Sequence, residues 1–342
     1  MNVWKRTANL ISIITALEYA GQKLLPAVWA CNCLKNSIRL TVPALVLALL
    51  IPSGLEAQTT NLHVITKRLD KTFQYQDSYE VNIEGEKADV SIETWGKSEI
   101  ALSVEFISKH PDKATAEADI EQMKYIAERV RNKIYIRNYI SVPEGEPKPA
   151  SNLSARYVVK VPESCPVYLK NYFGTANVIN LAKRFRYQGE FSPVGLENIQ
   201  GSIDLSTRFG DISGKGIDGD VTISSRRSDI TLEEIKGRYT INANYGDVRI
   251  LSASAGLLDL NITGTKSNIF LFDSKLFDYG YALTAQHGNI YFPSNLKMEF
   301  LKNTDEIKKV EFQPRAEYYP HVTISVTFGD IYLEKDKPGN RR

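Results

Sequence analysis

A triplet recurs every nine residues through the middle of the chain, and this period limits the fold more tightly than any other feature. Gly201-Ser202-Ile203, Gly210-Asp211-Ile212, Gly219-Asp220-Val221, Ser228-Asp229-Ile230, Gly237-Arg238-Tyr239 and Gly246-Asp247-Val248 follow at that step. The likeness is stronger at twice the step. Phe173, Phe191, Phe209, Arg227 and Tyr245 share one phase, and Leu181, Ile199, Ile217 and Ile235 another. Within each period the apolar residues alternate, as a strand with one buried face requires. Between the runs sit Gly, Asp, Asn and Ser, which tolerate tight turns. Eighteen residues therefore read as one coil of strand, turn, strand, turn, with successive coils stacked about 4.8 Å apart. Inside the stack, Ile203, Val221 and Tyr239 form one column, Leu205, Ile223 and Ile241 a second, and the small Thr207, Ser225 and Ala243 a third. No single coil can bury its apolar face alone; stacking does so. The expected fold is mainly β: a two-sheeted, right-handed β-solenoid preceded by a small α+β N-terminal domain.

Ahead of the repeat lies a leader, residues 1–57. Lys35 and Arg39 precede an uncharged apolar run at 40–51, then Pro52-Ser53-Gly54 and a small residue, Ala57, before Gln58. This is the pattern of a secretory signal over 35–57, cut between Ala57 and Gln58. The apolar run falls short of the roughly 20 residues needed to cross a bilayer, so no stable span is expected after cleavage. Residues 1–34 fit no part of that pattern and read as an over-long start. Export across the inner membrane follows, to the periplasm, the outer membrane surface or the medium. Beyond the leader only Cys165 remains, which excludes an internal disulfide and points to a buried thiol. A formal net charge of +2 gives no basis for a nucleic-acid partner.

Residues 58–140 read as the α+β cap domain: strand-rich at first, then a helix over 114–131 carrying an apolar stripe of Ile120, Met123, Ile126, Ala127 and Val130. Three prolines and a glycine mark 141–154 as a linker. The solenoid spans 155–335, with a charged, partly aromatic insertion at 295–320 and a basic tail at 336–342. Turn positions 173, 191, 209, 227, 245, 266, 287 and 328 make a stack roughly 34 Å long at about 4.8 Å per step. The cap domain and the insertion are expected to shield its ends.

The Gly-Asp-Ile/Val turns, the paired nine-residue half-coils and the leader resemble the bacterial putative-adhesin families of unknown function related to the head GIN domain. In those families tight turns join the two sheets of a superhelix. Residues 83–104 and the helix after them are similar to the families' amino-terminal portion, and the likeness spans about 70–333. It implies an adhesion or cell-envelope role and carries no catalytic residue across.

One constellation invites a test for chemistry: the carboxylate column Asp211, Asp229, Asp247. Stacked neighbours stand about 5 Å apart and alternate ones about 10 Å, against about 5–5.5 Å for retaining and 6.5–9.5 Å for inverting glycosidases. Yet Asp after Gly is a turn former that bonds nearby backbone, and the column recurs because the turn recurs. Arg208 and Arg226 would offset its repulsion. Calcium rolls need a second glycine and aspartate per turn that most coils lack. The four histidines are dispersed, so neither metal nor cofactor is expected. Outward columns (Asp204, Thr222, Thr240 and Ser206, Ser224, Asn242) are small and polar. The aromatic column from Phe173 to Tyr245 is expected to stack in the core; exposed, it would be a binding stripe. Tyr318 and Tyr319 form a candidate contact patch. The sequence thus reads as an exported, non-catalytic, adhesin-like binding or scaffold protein whose partner is a surface glycan or envelope protein. Its rivals are a polysaccharide-cleaving enzyme using the Asp column and a periplasmic partner of an envelope signalling system.

Overall fold

The computed structural model describes residues 61–334; the leader, its cut at Ala57 and Gln58, and the basic tail lie outside them. The chain is mainly β, in two large mixed sheets of twelve and thirteen strands. Its first third contains β1 (His63–Gln74), β2 (Glu80–Glu86), β3 (Ala88–Trp95), β4 (Glu99–His110), α1 (Lys113–Ile120), β5 (Met123–Val130), β6 (Lys133–Ile140) and β7 (Asn152–Pro162). The repeat follows as β8 (Val167–Tyr172), β9 (Ala176–Ile179), β10 (Arg184–Glu190), β11 (Val194–Glu197), β12 (Gln200–Arg208), β13 (Ile212–Lys215), β14 (Asp218–Arg226) and β15 (Ile230–Glu233). It continues through β16 (Ile235–Asn244), β17 (Val248–Ile250), β18 (Ala253–Thr265), β19 (Ile269–Phe272), β20 (Gly280–Gln286) and β21 (Ile290–Tyr291). A hairpin, β22 (Glu299–Asn303) and β23 (Ile307–Phe312), precedes the last pair, β24 (His321–Thr327) and β25 (Ile331–Glu334).

Even-numbered strands from β8 to β18 join the thirteen-stranded sheet and odd-numbered ones from β9 to β19 the twelve-stranded sheet. Pairing is parallel, and in the central coils its register equals the sequence period: Ile203 faces Val221, which faces Tyr239. Both this column and the Leu205, Ile223, Ile241 column are buried, in one continuous hydrophobic core. The polar residues alternating with them face out.

Three features differ from expectation. The helix ends at Ile120, and 123–130 is a strand antiparallel to β6. Asp112 caps the helix, its carboxylate accepting the Thr115 N–H at 2.9 Å. Past Ile120, of the stripe residues Met123 and Ala127 are buried and Ile126 and Val130 exposed; pairing with β6 overrides a helical pattern that tertiary context is free to override. Second, β2 pairs β8 and β3 pairs β9, so one coil of the stack comes from ahead of the proline-rich segment. That segment connects β6 in one sheet to β7 in the other. Third, both ends are completed out of order. β7 lies between β3 and β4, and the final pair lies inside the stack, β24 between β18 and β20 and β25 between β19 and β21. The insertion supplies β22 and β23, which extend the thirteen-stranded sheet antiparallel to β20. At the opposite end, α1 packs on β1 and β4. No helix among the described residues is long and apolar enough to cross a membrane.

Candidate functional site

The corner that carries each coil from the thirteen-stranded sheet to the twelve-stranded one is built from three positions. The first holds an aromatic or cationic residue, the second Gly or Ser (Ala88 after Lys87), the third usually Asp or Asn. In spatial order the first positions are Lys87, Phe173, Phe191, Phe209, Arg227, Tyr245, Lys266, Phe328 and His287, all with φ between 51° and 59°. Each but His287 donates its N–H to a carbonyl of the next coil, Lys87 to Tyr172, Phe191 to Arg208 and Arg227 to Asn244, for example; His287, in the last coil, donates to Glu306 between β22 and β23.

These side chains lie outside, not in the core. Phe173 is 56% exposed, Phe191 44%, Phe209 36%, Tyr245 47% and Phe328 55%. The left-handed corner residue interrupts the in–out alternation, so two successive residues face solvent (Arg208 and Phe209) before Gly210 turns inward. The rings stack into a ribbon: Phe173 on Phe191 at 5.1 Å, Phe191 on Phe209 at 4.7 Å, His287 on Phe328 at 5.0 Å. Arg227 bridges the gap, its guanidinium 5.3 Å from the Phe209 ring centre and 5.9 Å from that of Tyr245, and Lys266 lies 5.0 Å over Tyr245. The opposite corner provides an internal comparison. There Asn180, Asn198, Gly216 and Glu234 hold the same positive φ at 18-residue spacing, and turn chemistry alone accounts for Asn and Gly.

The third position is the carboxylate column, and its geometry is that of a turn. Asp211 accepts the N–H of Asp229 at 2.8 Å, and Asp229 that of Asp247 at 2.9 Å. Asp247 in turn accepts from Asn268, Asn268 from Asp330 and Asp330 from Asn289. The cation that offsets the repulsion is Arg249, at 2.9 Å from Asp229 and 2.7 Å from Asp247. Arg208 instead pairs with Glu190 at 3.4 Å. Partial burial opposes ionisation of Asp229, but the Arg249 hydrogen bond, the Asp247 N–H and the Arg249 charge together hold its carboxyl below the ordinary value. Arg249 also starts a second external stack, over Phe270, with Tyr332 and Tyr291 following at 4.8 Å steps. The signal for Arg249 was its place two residues after Asp247, on the same face of an alternating strand.

Tyr318 and Tyr319 part ways. Tyr318 is 86% exposed beside a groove with Phe277 and Arg315, whereas the half-buried Tyr319 ring lies against Gly280 and 5.0 Å from that of His321. Cys165 is buried, and burial pushes its thiol up to about 12. Among the described residues no three His, Cys, Asp or Glu cluster to hold a metal ion.

No family model matches the chain, and no curated protein does either. Solved structures do. A putative adhesin of Parabacteroides distasonis is 12% identical, over 78% of this chain and 97% of that one, with a TM-score of 0.48. A putative adhesin of Parabacteroides merdae is 13% identical, over 79% and 97%, with a TM-score of 0.43. A putative lipid binding protein of Parabacteroides distasonis is 13% identical over the same shares, with a TM-score of 0.42.

Proposed function

We propose that this chain is an exported β-solenoid of the bacterial cell envelope that binds a surface partner and performs no catalysis. The observation that carries the reading is the exposed ribbon from Phe173 to His287. A Phe held in the left-handed region is disfavoured by roughly 1–2 kcal/mol, and each stacked pair returns about 0.5–1.5 kcal/mol. The two nearly cancel, so stability gives little reason to prefer exposed phenylalanine where the opposite corner uses Asn180 and Asn198. Retention of apolar area at the surface marks a contact surface. Stacking hides the ring faces and leaves their edges and the two cations outward, which suits a long partner lying along the ribbon.

The rival glycan-cleaving reading draws on the Asp column, but one oxygen of each of Asp211, Asp229 and Asp247 is committed to backbone N–H groups of the next coil. The test is retention of the protein on bacterial envelope fractions and polysaccharides, with released reducing ends recorded in the same samples. Phe173→Asn, Phe191→Asn and Phe209→Asn together place in this corner a residue the opposite corner already uses. The variant is expected to fold, to melt within a few degrees of the parent, and to lose retention. Turnover that disappears with Asp229→Asn would overturn the non-catalytic reading.

A further inference from the structure

Beside the ribbon, on the outer face of the thirteen-stranded sheet, runs a shallow trough lined by Gln188, Ser206, Arg208, Ser224, Arg226 and Asn242. Its floor repeats with the coil: Ser206 faces Ser224, which faces Asn242, and Gln188 precedes them. Its wall toward the ribbon repeats too, with Glu190, Arg208, Arg226 and Asn244 in register. Like charges directly opposite on paired strands are destabilising, yet Arg208 and Arg226 are direct partners. Glu190 answers the first. Arg226 meets no acid within ion-pair distance among the described residues, and neither does Arg227, whose guanidinium lies over the Phe209 and Tyr245 rings. The acids across the corner do not compensate them: Asp229 is bound to Arg249, and Asp211 accepts from backbone. The uncompensated Arg226 thus borders a ladder of hydroxyls and amides, with Arg208 one coil away and Arg227 next in the chain, at the ribbon.

We infer that this trough binds a linear glycan bearing carboxylates, an inference that rests on the surface-binding reading above. Guanidinium is matched to carboxylate in charge and in planar, two-pronged geometry. Side chains of Ser206, Ser224, Asn242 and Gln188 each both donate and accept, as sugar hydroxyls do. The floor is in mid-sheet, where the strand backbones already pair with each other, so a peptide finds no free edge to extend. Apart from Tyr172 and Gly189 the trough residues are polar or charged, which disfavours a lipid chain. From Gln188 to Asn242 the ladder is roughly 14 Å long at about 4.8 Å per step, enough for a few sugar units.

The test measures affinity of the full chain for polygalacturonate and for its fully methyl-esterified form, by affinity electrophoresis at low and moderate salt. Cosedimentation with phosphatidylglycerol vesicles runs alongside. Binding to the acid form is expected to exceed that to the ester by at least about tenfold, as charge-assisted hydrogen bonds require, and to weaken as salt rises. The double variant Arg226→Gln, Arg227→Asn is expected to lose about tenfold or more. Arg238→Gln, which removes a charge at the far end of the same face, should lose nothing. Equal affinity for acid and ester overturns the inference, as do equal losses from the double variant and Arg238→Gln, an unaffected double variant, or binding to vesicles alone. The acid-against-ester comparison needs no substitution, so it decides even where the double variant unfolds. Absence of polygalacturonate binding, with envelope retention still abolished by the ribbon variant, removes this inference and leaves the binding reading standing.

Discussion

At the residue scale the corner is held by side chains that do the work of backbone. Each aspartate of the column caps the N–H of the coil above it, and Arg249 gathers the remaining oxygens of Asp229 and Asp247. This arrangement has a pH signature. Asp229 titrates lower in the folded state than in the unfolded one, so the stabilisation it gives is complete above about pH 4, its unfolded range, and is lost as pH falls through the lower folded value. Asp229→Asn keeps an oxygen for the Asp247 N–H but gives up the charge. Melting curves between pH 6 and pH 2 should therefore fall less steeply for the variant than for the parent, with the two closest at the acid end. Identical pH dependence would show that the Arg249 bridge contributes nothing to stability. Cys165 offers a second residue-level check. With its thiol raised to about 12 by burial, it should resist alkylation at pH 8 in the folded protein and react once the chain is denatured.

At the scale of elements, the period was the legible part. Strand phase, the inward columns and the turn role of the aspartates all follow from residues 173–248, because alternation and turn chemistry are local. The aromatic column was misplaced, although the sequence held the correction: Arg227 occupies the same phase as Phe209 and Tyr245, and an uncompensated cation in a core column would be costly. The 114–131 stripe misled for a different reason. Its spacing satisfies a helix, and only the partner strand β6, a long-range contact, selects the extended form of 123–130. A third local feature permits the close approach of successive coils, the glycine near the start of β12, β14 and β16. Gly219 has φ 150°, and a Cβ there would collide with the Gly201 carbonyl oxygen of the preceding coil. Gly219→Ala should then destabilise the protein by about 2–4 kcal/mol, read from denaturant midpoints. The same change at Gly96, which meets nothing nearby, should be close to neutral.

For the whole molecule, the order of the chain and the order of the stack disagree at both ends, and no local pattern reveals it. The turn at Phe328 repeats the earlier ones so faithfully that it reads as the last coil, yet it sits between Lys266 and His287. The reason lies in edges. Had β20 and β21 followed β18 and β19 directly, the chain's final strands would have ended the stack with open backbone groups, a surface prone to pairing with other chains. Placing β24 and β25 inside protects them on both sides, and the β22–β23 hairpin takes the exposed end of the thirteen-stranded sheet. The two pieces should therefore differ in what their loss does. Ending the chain after Pro320 removes buried Val322, Ile324, Val326, Ile331 and Leu333 and leaves four unpaired edges facing an empty slot. It is expected to abolish cooperative unfolding and drive aggregation. Replacing residues 299–312 with a short Gly-Ser connection removes strands from the margin, where β22 is exposed along its length, and exposes one new edge along β20. That variant should melt several degrees lower yet still unfold in one transition. Calorimetry of both variants against the parent separates the cases; equal damage from the two would mean that the slot is no more important than the margin.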